Sequence, residues 1–389
     1  MKFIKQNRDN SVYVDNIFAI SNLAKADKDP NTINATIGSF FNEDGKLLTF
    51  PIIFDSLNEL TNAQIVGYAQ GPQGNKDYNE ALIKFVLEDR VKHVRSIATT
   101  GGTGAISLAV AMCLNEGDTI YLPEIAWGNY ALIAKEFNLK VVNYDPYDID
   151  SLINKIDGKA FIVINSPCEN PCGCSYSVEE WKKLFNKLNT IKEDIVVLND
   201  AAYMDYSNNL NFKDYLDEVN NLNDNILFLL AYSCSKSFSY YGQRIGVLML
   251  INKDEELLDT LENQFSKHNR TIWSSANNGA MNNVTNILNN HLEEYKKQKD
   301  ESIALLKQRS DIFVLEAKEC GLNYYPYTEG FFITLKFDDN KVRDEAHQKL
   351  MNEHIYTIKV NKGIRIGICA IPVSKIKGLA KKIHNIVLS

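Results

Sequence analysis

A single lysine, Lys236, stands among small hydroxyl residues directly after an apolar run, residues 226–231, that predicts a buried strand. Loss of hydration beside such a strand disfavours the charged form of a lysine and leaves an amine that can attack a carbonyl carbon, as in Schiff-base formation. Ser233, Ser235 and Arg244 place two hydroxyls and a guanidinium near this lysine, and such groups bind a phosphate dianion. Pyridoxal phosphate combines an aldehyde with a phosphate, so this stretch predicts a site for it. The alternative is a lysine on a polar turn.

A carboxylate, Asp200, follows the apolar run 195–198. Burying an acid at the end of a strand is unfavourable unless the acid pairs with a cation, and a pyridinium nitrogen supplies such a cation. The aspartate precedes Lys236 by 36 residues and is followed three positions later by Tyr203. The alternative is an aspartate that caps the N-terminus of a helix.

A glycine-rich turn, residues 99–104, joins a predicted strand at 94–98 to an apolar helical run at 105–112. Free backbone amides and the helix dipole meet at the start of such a helix and favour an anion. The glycine spacing matches neither the dinucleotide-binding pattern nor the Walker loop, which argues against NAD and ATP as ligands. Trp127 follows a predicted strand at 119–122, on the side where open α/β sheets bind ligands. It either stacks on a ligand ring or anchors the core.

The chain has 389 residues, of which 45% are hydrophobic and 23% charged, an ordinary globular composition with enough length for two domains. The formal net charge of -7 argues against nucleic acid or an anionic membrane as the main partner, since both bind clustered positive charge. Small-molecule ligands are expected instead.

The N-terminus turns polar before the apolar core of a signal peptide could form, and no apolar run has the length of a membrane span. We therefore expect a cytoplasmic protein. The seven cysteines show no paired spacing and are expected to be reduced. Cys168, Cys172 and Cys174 lie close together in the chain, but no fourth cysteine or histidine is near them, so we predict no metal site.

Taken together, these motifs resemble the class I and II aminotransferases of pyridoxal-phosphate fold type I, in the aspartate and aromatic branch, over residues 36–372. The resemblance implies an α/β fold, in which a large domain holds a mixed, mostly parallel seven-stranded sheet and both chain termini form a smaller α/β domain. The expected domain bounds are 1–52 for the N-terminal segment of the small domain, 53–295 for the large cofactor-binding domain and 296–389 for the C-terminal part of the small domain. A long helical stretch at 277–319 is expected to link the domains, and a last helix is expected at 373–387.

The resemblance also implies roles for individual residues. Lys236 would hold the cofactor covalently and carry the substrate proton as general acid and base, Asp200 would keep the ring nitrogen protonated, and Tyr203 would bond the ring oxygen O3′. The other residues implied for the cofactor are Gly102, Thr103, Trp127, Asn170, Ser233, Ser235, Arg244 and, from the neighbouring subunit, Tyr68. Those implied for the substrate are Gly38, Asn170, Arg270 and Arg365, of which Arg365 would grip the α-carboxylate. One departure is an extra residue between Asn165 and Asn170.

The implied activity is transfer of an amino group between an amino acid and a 2-oxo acid, in a symmetric homodimer with shared active sites. Arg270 lies 34 residues after Lys236, where the aspartate branch carries an arginine that meets a side-chain carboxylate across the dimer interface, and this favours aspartate and glutamate. Trp273 stands where that branch usually has tyrosine, which favours aromatic side chains instead.

Two alternative functions stay open. A β-lyase or decarboxylase of the same fold would bind the same cofactor with the same residues. The ligand-sensing domain of a transcription regulator would need a DNA-binding domain ahead of the fold, and the roughly 35 residues before the first motif are too few to form one.

Overall fold

The computed structural model describes Val12 and residues 14–388. Its strands, in chain order, are β1 (Ile33–Asn34), β2 (Val94–Thr99), β3 (Thr119–Pro123), β4 (Lys140–Tyr144), β5 (Ala160–Asn165), β6 (Ile195–Asp200), β7 (Ile226–Ser233), β8 (Gly246–Ile251), β9 (Phe332–Lys336), β10 (Ile355–Tyr356), β11 (Ile358–Val360) and β12 (Gly363–Gly367).

The helices are α1 (Asn16–Ala26), α2 (Pro51–Glu59), α3 (Asn62–Val66), α4 (Lys76–Leu87), α5 (Gly101–Cys113), α6 (Asn129–Glu136), α7 (Ile149–Ile153), α8 (Val178–Leu188), α9 (Tyr215–Val219), α10 (Cys234–Ser237), α11 (Glu255–Ile272), α12 (Asn278–Asn290), α13 (Leu292–Cys320), α14 (Asn340–Asn352), α15 (Val373–Ile376) and α16 (Leu379–Leu388). Short 3₁₀ helices lie at Met204–Tyr206, Tyr241–Gln243 and Ile368–Ala370.

A seven-stranded sheet in the order β2-β8-β7-β6-β5-β3-β4 forms the centre of the molecule. All neighbouring strands run parallel except β8, which is antiparallel to both β2 and β7. Successive residues of β5 pack into different hydrophobic clusters, so the sheet is covered on both faces. Strands buried on both faces are near-continuous apolar runs, which is why β6 and β7 stand out in the sequence. The predicted mixed, mostly parallel sheet of seven strands is confirmed.

A second β structure brings together segments from the two ends of the chain. Strand β1 pairs in parallel with β10, with Ile33 opposite Ile355. Strands β11, β12 and β9 form an antiparallel sheet, and a separate hydrophobic cluster surrounds it, to which α13, α14 and α16 contribute. Helix α1 carries two largely exposed apolar side chains, Phe18 and Leu23, which are 66% and 56% exposed.

Two stretches that were each predicted as one continuous helix are two separate helices in the structure, so these predictions were wrong. The stretch predicted as one helix at 277–319 is divided between α12 and α13 at His291, whose φ of -130° is not helical. The stretch predicted as one helix at 373–387 is divided between α15 and α16, and Gly378 between them has a φ of +81°, which glycine adopts without strain.

All seven cysteines are free thiols. Within the described residues, no helix is both long and apolar enough to cross a membrane.

Candidate active site

A cavity of about 370 Å³ opens at the carboxyl ends of three neighbouring parallel strands. The last residue of each strand lines it: Asn165 of β5, Asp200 of β6 and Ser233 of β7. Twelve of the fourteen residues predicted from the sequence lie around this cavity, namely Gly38, Gly102, Thr103, Trp127, Asn170, Asp200, Tyr203, Ser233, Ser235, Lys236, Arg244 and Arg365. The fold therefore brings residues from positions 38 to 365 to one place at the carboxyl edge of the seven-stranded sheet, where ligands bind in such folds.

Lys236 occupies a single helical turn, α10, that begins directly after β7. Its Nζ donates a hydrogen bond of 2.6 Å to the main-chain oxygen of Gly38 and lies 4.5 Å from the centre of the Tyr241 ring. Burial lowers the pKa of Lys236 to about 8, and the positive charges of Arg365 and Arg244 act in the same direction. An appreciable fraction of the amine is therefore uncharged near neutral pH, which nucleophilic attack on a carbonyl requires.

Asp200 lies buried at the end of β6 and accepts two hydrogen bonds. Tyr130 donates its hydroxyl proton to Oδ2 over 2.5 Å, and the amide of Ala202 donates to Oδ1 over 3.1 Å. Burial raises the pKa of Asp200 to about 6, although both hydrogen bonds oppose this rise. No lysine, arginine or histidine of the described residues forms an ion pair with this carboxylate. The cationic ring nitrogen of a ligand would therefore fit beside the Asp200 carboxylate.

An anion-binding corner is formed where α5 begins. The first turn of this 13-residue helix contains Gly102 and Thr103, both of which line the cavity. The first amides of a helix have no partner within it and favour an anion. The guanidinium of Arg244 donates from Nη1 to the hydroxyl of Ser235 over 3.3 Å. Gly101 has a φ of +76°, and a Cβ there would lie 2.8 Å from Nη2 of Arg244. The glycine thus allows the guanidinium to approach the helix start, and together these donors fit a phosphate group.

A second cationic group, Arg365, comes from β12 and lies buried. Its Nη1 donates to Oδ1 of Asn170 over 3.1 Å, its Nη2 donates to the main-chain oxygen of Thr36 over 2.6 Å, and its guanidinium lies 4.3 Å from the centre of the Phe332 ring. Burial lowers the pKa of Arg365. Its Nε has no hydrogen-bond partner among the described residues. A buried arginine held in this way, without a carboxylate partner, is suited to bind the carboxylate of a ligand.

The extra residue between Asn165 and Asn170 is accommodated by a tight loop after β5. Nδ2 of Asn165 donates to the main-chain oxygen of Asp200 over 2.6 Å, and its Oδ1 accepts from the amide of Asn170 over 2.7 Å. Glu169 is not among the residues that line the cavity, and its Oε2 accepts from the amide of Cys172 over 2.7 Å. Burial raises the pKa of Glu169 to about 8. The loop is therefore fixed to the end of β6, and Asn170 still lines the cavity.

Some residues at the site carry no signal in the sequence that we recognised. Tyr130 lies on α6, one turn after Trp127, and its ring meets the indole edge to face at a centroid distance of 5.4 Å. Ile17 and Phe18 of α1 line the mouth of the cavity. An aromatic residue three positions after Trp127, in the first turn of the following helix, was the available signal for Tyr130.

Tyr68 and Arg270 are not among the residues around this cavity. They lie together at a separate surface cavity, where Tyr68 is 94% exposed. The guanidinium of Arg270 donates to the hydroxyl of Ser274 in the same region. Within one chain, these two predicted residues are therefore apart from the other twelve.

The chain matches the family "Aminotransferase class I and II" over residues 31–383. It belongs to this family. The resemblance inferred from the motifs is thereby confirmed, and the enzyme is a transaminase of a family that depends on pyridoxal phosphate.

Individual relatives agree with this membership. The cytoplasmic aspartate aminotransferase of Dictyostelium discoideum is 25% identical over 71% of this chain and 66% of its own length. The tyrosine aminotransferase of Rhizobium meliloti is 26% identical over 67% of this chain and 69% of its own length. The crystal structure of an aminotransferase from Anaerococcus prevotii superposes with a TM-score of 0.92 at 29% identity, over 99% of both chains. The alignment to the Dictyostelium enzyme thus spans slightly less than two thirds of that relative.

Proposed function

We propose that this aminotransferase transfers an amino group between an amino acid and a 2-oxo acid, with Lys236 as the lysine that holds the cofactor. The observation that supports this most is the convergence on one cavity of the Lys236 amine, the Asp200 carboxylate, the anion-binding corner and the Arg365 guanidinium. Each matches one part of the reacting molecules: the aldehyde, the ring nitrogen, the phosphate and the substrate carboxylate.

The donor set suggests which residues would hold pyridoxal phosphate. Gly102, Thr103, Ser233, Ser235 and Arg244 surround the corner that suits its phosphate. Trp127 would cover the ring, while Asn170 and Tyr203 would bond its O3′ oxygen. When bound, the cofactor supplies a ring that withdraws electrons from the substrate carbon bearing the amino group.

The protein's own groups then have distinct tasks. Arg365 binds and orients the α-carboxylate of the substrate, close to Gly38. Asp200 keeps its negative charge beside the ring nitrogen, helped by the hydroxyl of Tyr130. The amine of Lys236, whose pKa is lowered to about 8, takes up the proton that leaves the substrate Cα and returns it later. Ile17 and Phe18 at the mouth of the cavity limit access of water.

This proposal is tested by trapping the cofactor with borohydride and mapping the modified peptide. We expect the label on Lys236, and we expect Lys236→Ala to abolish transamination while the protein still folds, because this residue is both anchor and proton carrier. A label on another lysine, such as the buried Lys299, would contradict the assignment. Conversion of the amino acid without an added 2-oxo acid would favour a β-lyase or decarboxylase instead.

We further propose aspartate and glutamate as amino donors and a homodimer as the active unit. Arg270 and Tyr68 share an exposed surface cavity, where they could reach the site of a second copy. The relatives include both aspartate and tyrosine aminotransferases, and Trp273 beside Arg270 keeps aromatic substrates as the second candidate.

We also propose a division of the chain at residues 52 and 295 into a small and a large domain. It is supported by the separate hydrophobic clusters around the three-stranded and seven-stranded sheets. A cytoplasmic location is proposed from the likeness to a cytoplasmic relative.

A further inference from the structure

The main-chain oxygen of Ser237, the residue after Lys236, accepts two side-chain hydrogen bonds from helix α13. The hydroxyl of Tyr295 donates to it over 2.9 Å, and Nζ of Lys299 donates over 3.0 Å. The two donors lie four residues apart, on the same face of the helix. Because α10 is only one turn long, its final carbonyl has no partner within the helix. Helix α13 thus supplies the partners that this turn lacks.

The surroundings of Lys299 are unusual for a lysine. The residue is 4% exposed, and its Nζ lies 3.3 Å from the centre of the Tyr206 ring and 5.7 Å from that of Phe50. No carboxylate of the described residues forms an ion pair with it. Burial lowers the pKa of Lys299 to about 7, while Asp205, Cys168 and Asp300 act in the opposite direction. A buried amine without an ion-pair partner is costly, and a methionine would fill the same space without that cost.

Helix α13 also contacts the segment that follows the strand of Arg365. Ten residues after Lys299, the buried Arg309 donates from Nη1 to the main-chain oxygen of Cys369 over 2.8 Å. Cys369 follows β12, the strand that carries Arg365. One continuous helix of 29 residues therefore contacts the backbone next to Lys236 and the backbone four residues after Arg365.

We propose that Lys299 is a positioning residue for Lys236. Its hydrogen bond fixes the Ser237 carbonyl, and this holds the turn α10 so that the Lys236 amine faces the reacting carbon. The proposal rests on the function proposed for Lys236. Displacement of a reacting group by about 1 Å can slow a reaction by about 100-fold, so loss of this hydrogen bond should be visible in rates rather than in substrate affinity.

The test compares Lys299→Met, which keeps the apolar stem, with Lys297→Met, an exposed lysine on the same helix as control. Pyridoxal phosphate is added to each cofactor-free protein, samples are reduced with borohydride at intervals, and the modified Lys236 peptide is quantified. Steady-state transamination is measured in parallel. We expect Lys299→Met to slow both trapping and kcat by about 10-fold to 100-fold, with KM for the amino donor within about twofold of wild type. Lys297→Met should behave as wild type.

Trapping and kcat within about twofold of wild type in Lys299→Met would overturn the proposal, as would an equal loss in Lys297→Met. If Lys299→Met does not fold, Lys299→Leu also removes the lysine donor to this carbonyl, and an unchanged trapping rate in that variant would overturn the proposal. Failure of the proposed function is recognised separately, because wild-type protein would then be trapped at a residue other than Lys236.

Discussion

Three buried or half-buried ionisable residues without an oppositely charged partner mark the cavity. Burial raises the pKa of Asp200 to about 6, lowers the pKa of Lys236 to about 8 and lowers the pKa of Arg365. In each case burial favours the neutral form, because the charged form loses its hydration. A ligand with a cationic ring nitrogen, an electrophilic carbon and a carboxylate would compensate all three, which is why the site suits an amino acid bound together with pyridoxal phosphate.

The hydroxyl of Tyr130 should influence the protonation of Asp200. It donates to the carboxylate and so opposes the rise in the pKa of Asp200 that burial causes. In Tyr130→Phe this pKa should be higher, so that Asp200 remains protonated up to a higher pH. We therefore expect the acidic limb of the pH profile of kcat/KM to move to higher pH in Tyr130→Phe.

Asp200→Asn, which cannot carry the charge at any pH, should lower kcat by about 100-fold or more.

A suitable control is Tyr121→Phe. Tyr121 is also buried, but its hydroxyl donates to the main-chain oxygen of Lys155 and not to Asp200. An acidic limb that moves equally in both variants would show that the effect comes from the loss of any buried hydroxyl. Nearly normal turnover in Asp200→Asn would show that this carboxylate only fixes the local backbone.

Sequence reasoning found the residues that follow strands but missed those that support them. Lys236 and Asp200 each come at or just after the end of an apolar run, and that pattern is visible in the chain. Tyr130 and Lys299 make their decisive hydrogen bonds with residues 70 and 62 positions away. Contacts over such separations leave no periodic pattern, and only the folded structure places these partners together.

At the level of secondary structure, the start of α5 depends on a glycine. Gly101 has a positive φ, and a Cβ would approach Nη2 of Arg244 within 2.8 Å. Gly101→Ala should displace the guanidinium and weaken binding of pyridoxal phosphate by about tenfold or more, which is about 1.4 kcal/mol. The measurement is an equilibrium titration of the cofactor-free protein.

Gly117→Ala provides a matched control for that titration. Gly117 also has a positive φ, of +87°, but a Cβ there would meet no atom within 4 Å. Both variants carry backbone strain, which should appear as a lower melting temperature. Only Gly101→Ala should lose affinity for the cofactor. Equal affinities in the two variants would mean that Arg244 does not depend on this close approach.

Elements with a strong apolar pattern were predictable, and weak or interrupted ones were not. Strands β6 and β7 are buried runs, and the sequence predicts both. Edge strand β4 is largely exposed along its length, so no continuous apolar run indicates it. Helix α12 ends at His291 although neither proline nor glycine stands beside it in the sequence. Its ring Nε2 lies 2.8 Å from Oε2 of Glu59, and such a tertiary contact leaves no local sequence signal.

At the level of the whole molecule, segments that are far apart in the chain meet through contacts that no local pattern predicts. Strand β1 pairs with β10, and Nη2 of Arg365 donates to the main-chain oxygen of Thr36, 329 positions away. The family resemblance implied such a union of the termini, whereas two-residue strands carry no periodicity of their own. Within a single chain, however, Tyr68 and Arg270 lie outside the cavity, and only the proposed homodimer would bring them to a site in a second copy.

Arg270 should therefore determine the choice of substrate across a dimer interface. If it binds the side-chain carboxylate of aspartate, its loss should cost about 3–5 kcal/mol, or from about 100-fold to a few thousand-fold in kcat/KM for aspartate and glutamate. Tyrosine should be affected little, because its side chain carries no carboxylate. Steady-state kinetics of Arg270→Leu with these donors measure the difference, with Lys267→Leu, an exposed cation on the same helix, as control. Unchanged discrimination would contradict the dicarboxylate proposal.

Mixed dimers distinguish action across the interface from action within one chain. Lys236→Ala and Arg270→Leu proteins are each expected to be poor with aspartate, and the two are dissociated and reassembled together. If Arg270 serves the partner's site, one site of each mixed dimer combines an intact Lys236 with an intact Arg270 from the other chain, and activity with aspartate returns. If Arg270 serves its own chain, every site lacks one of the two residues and the mixture stays as poor as its components.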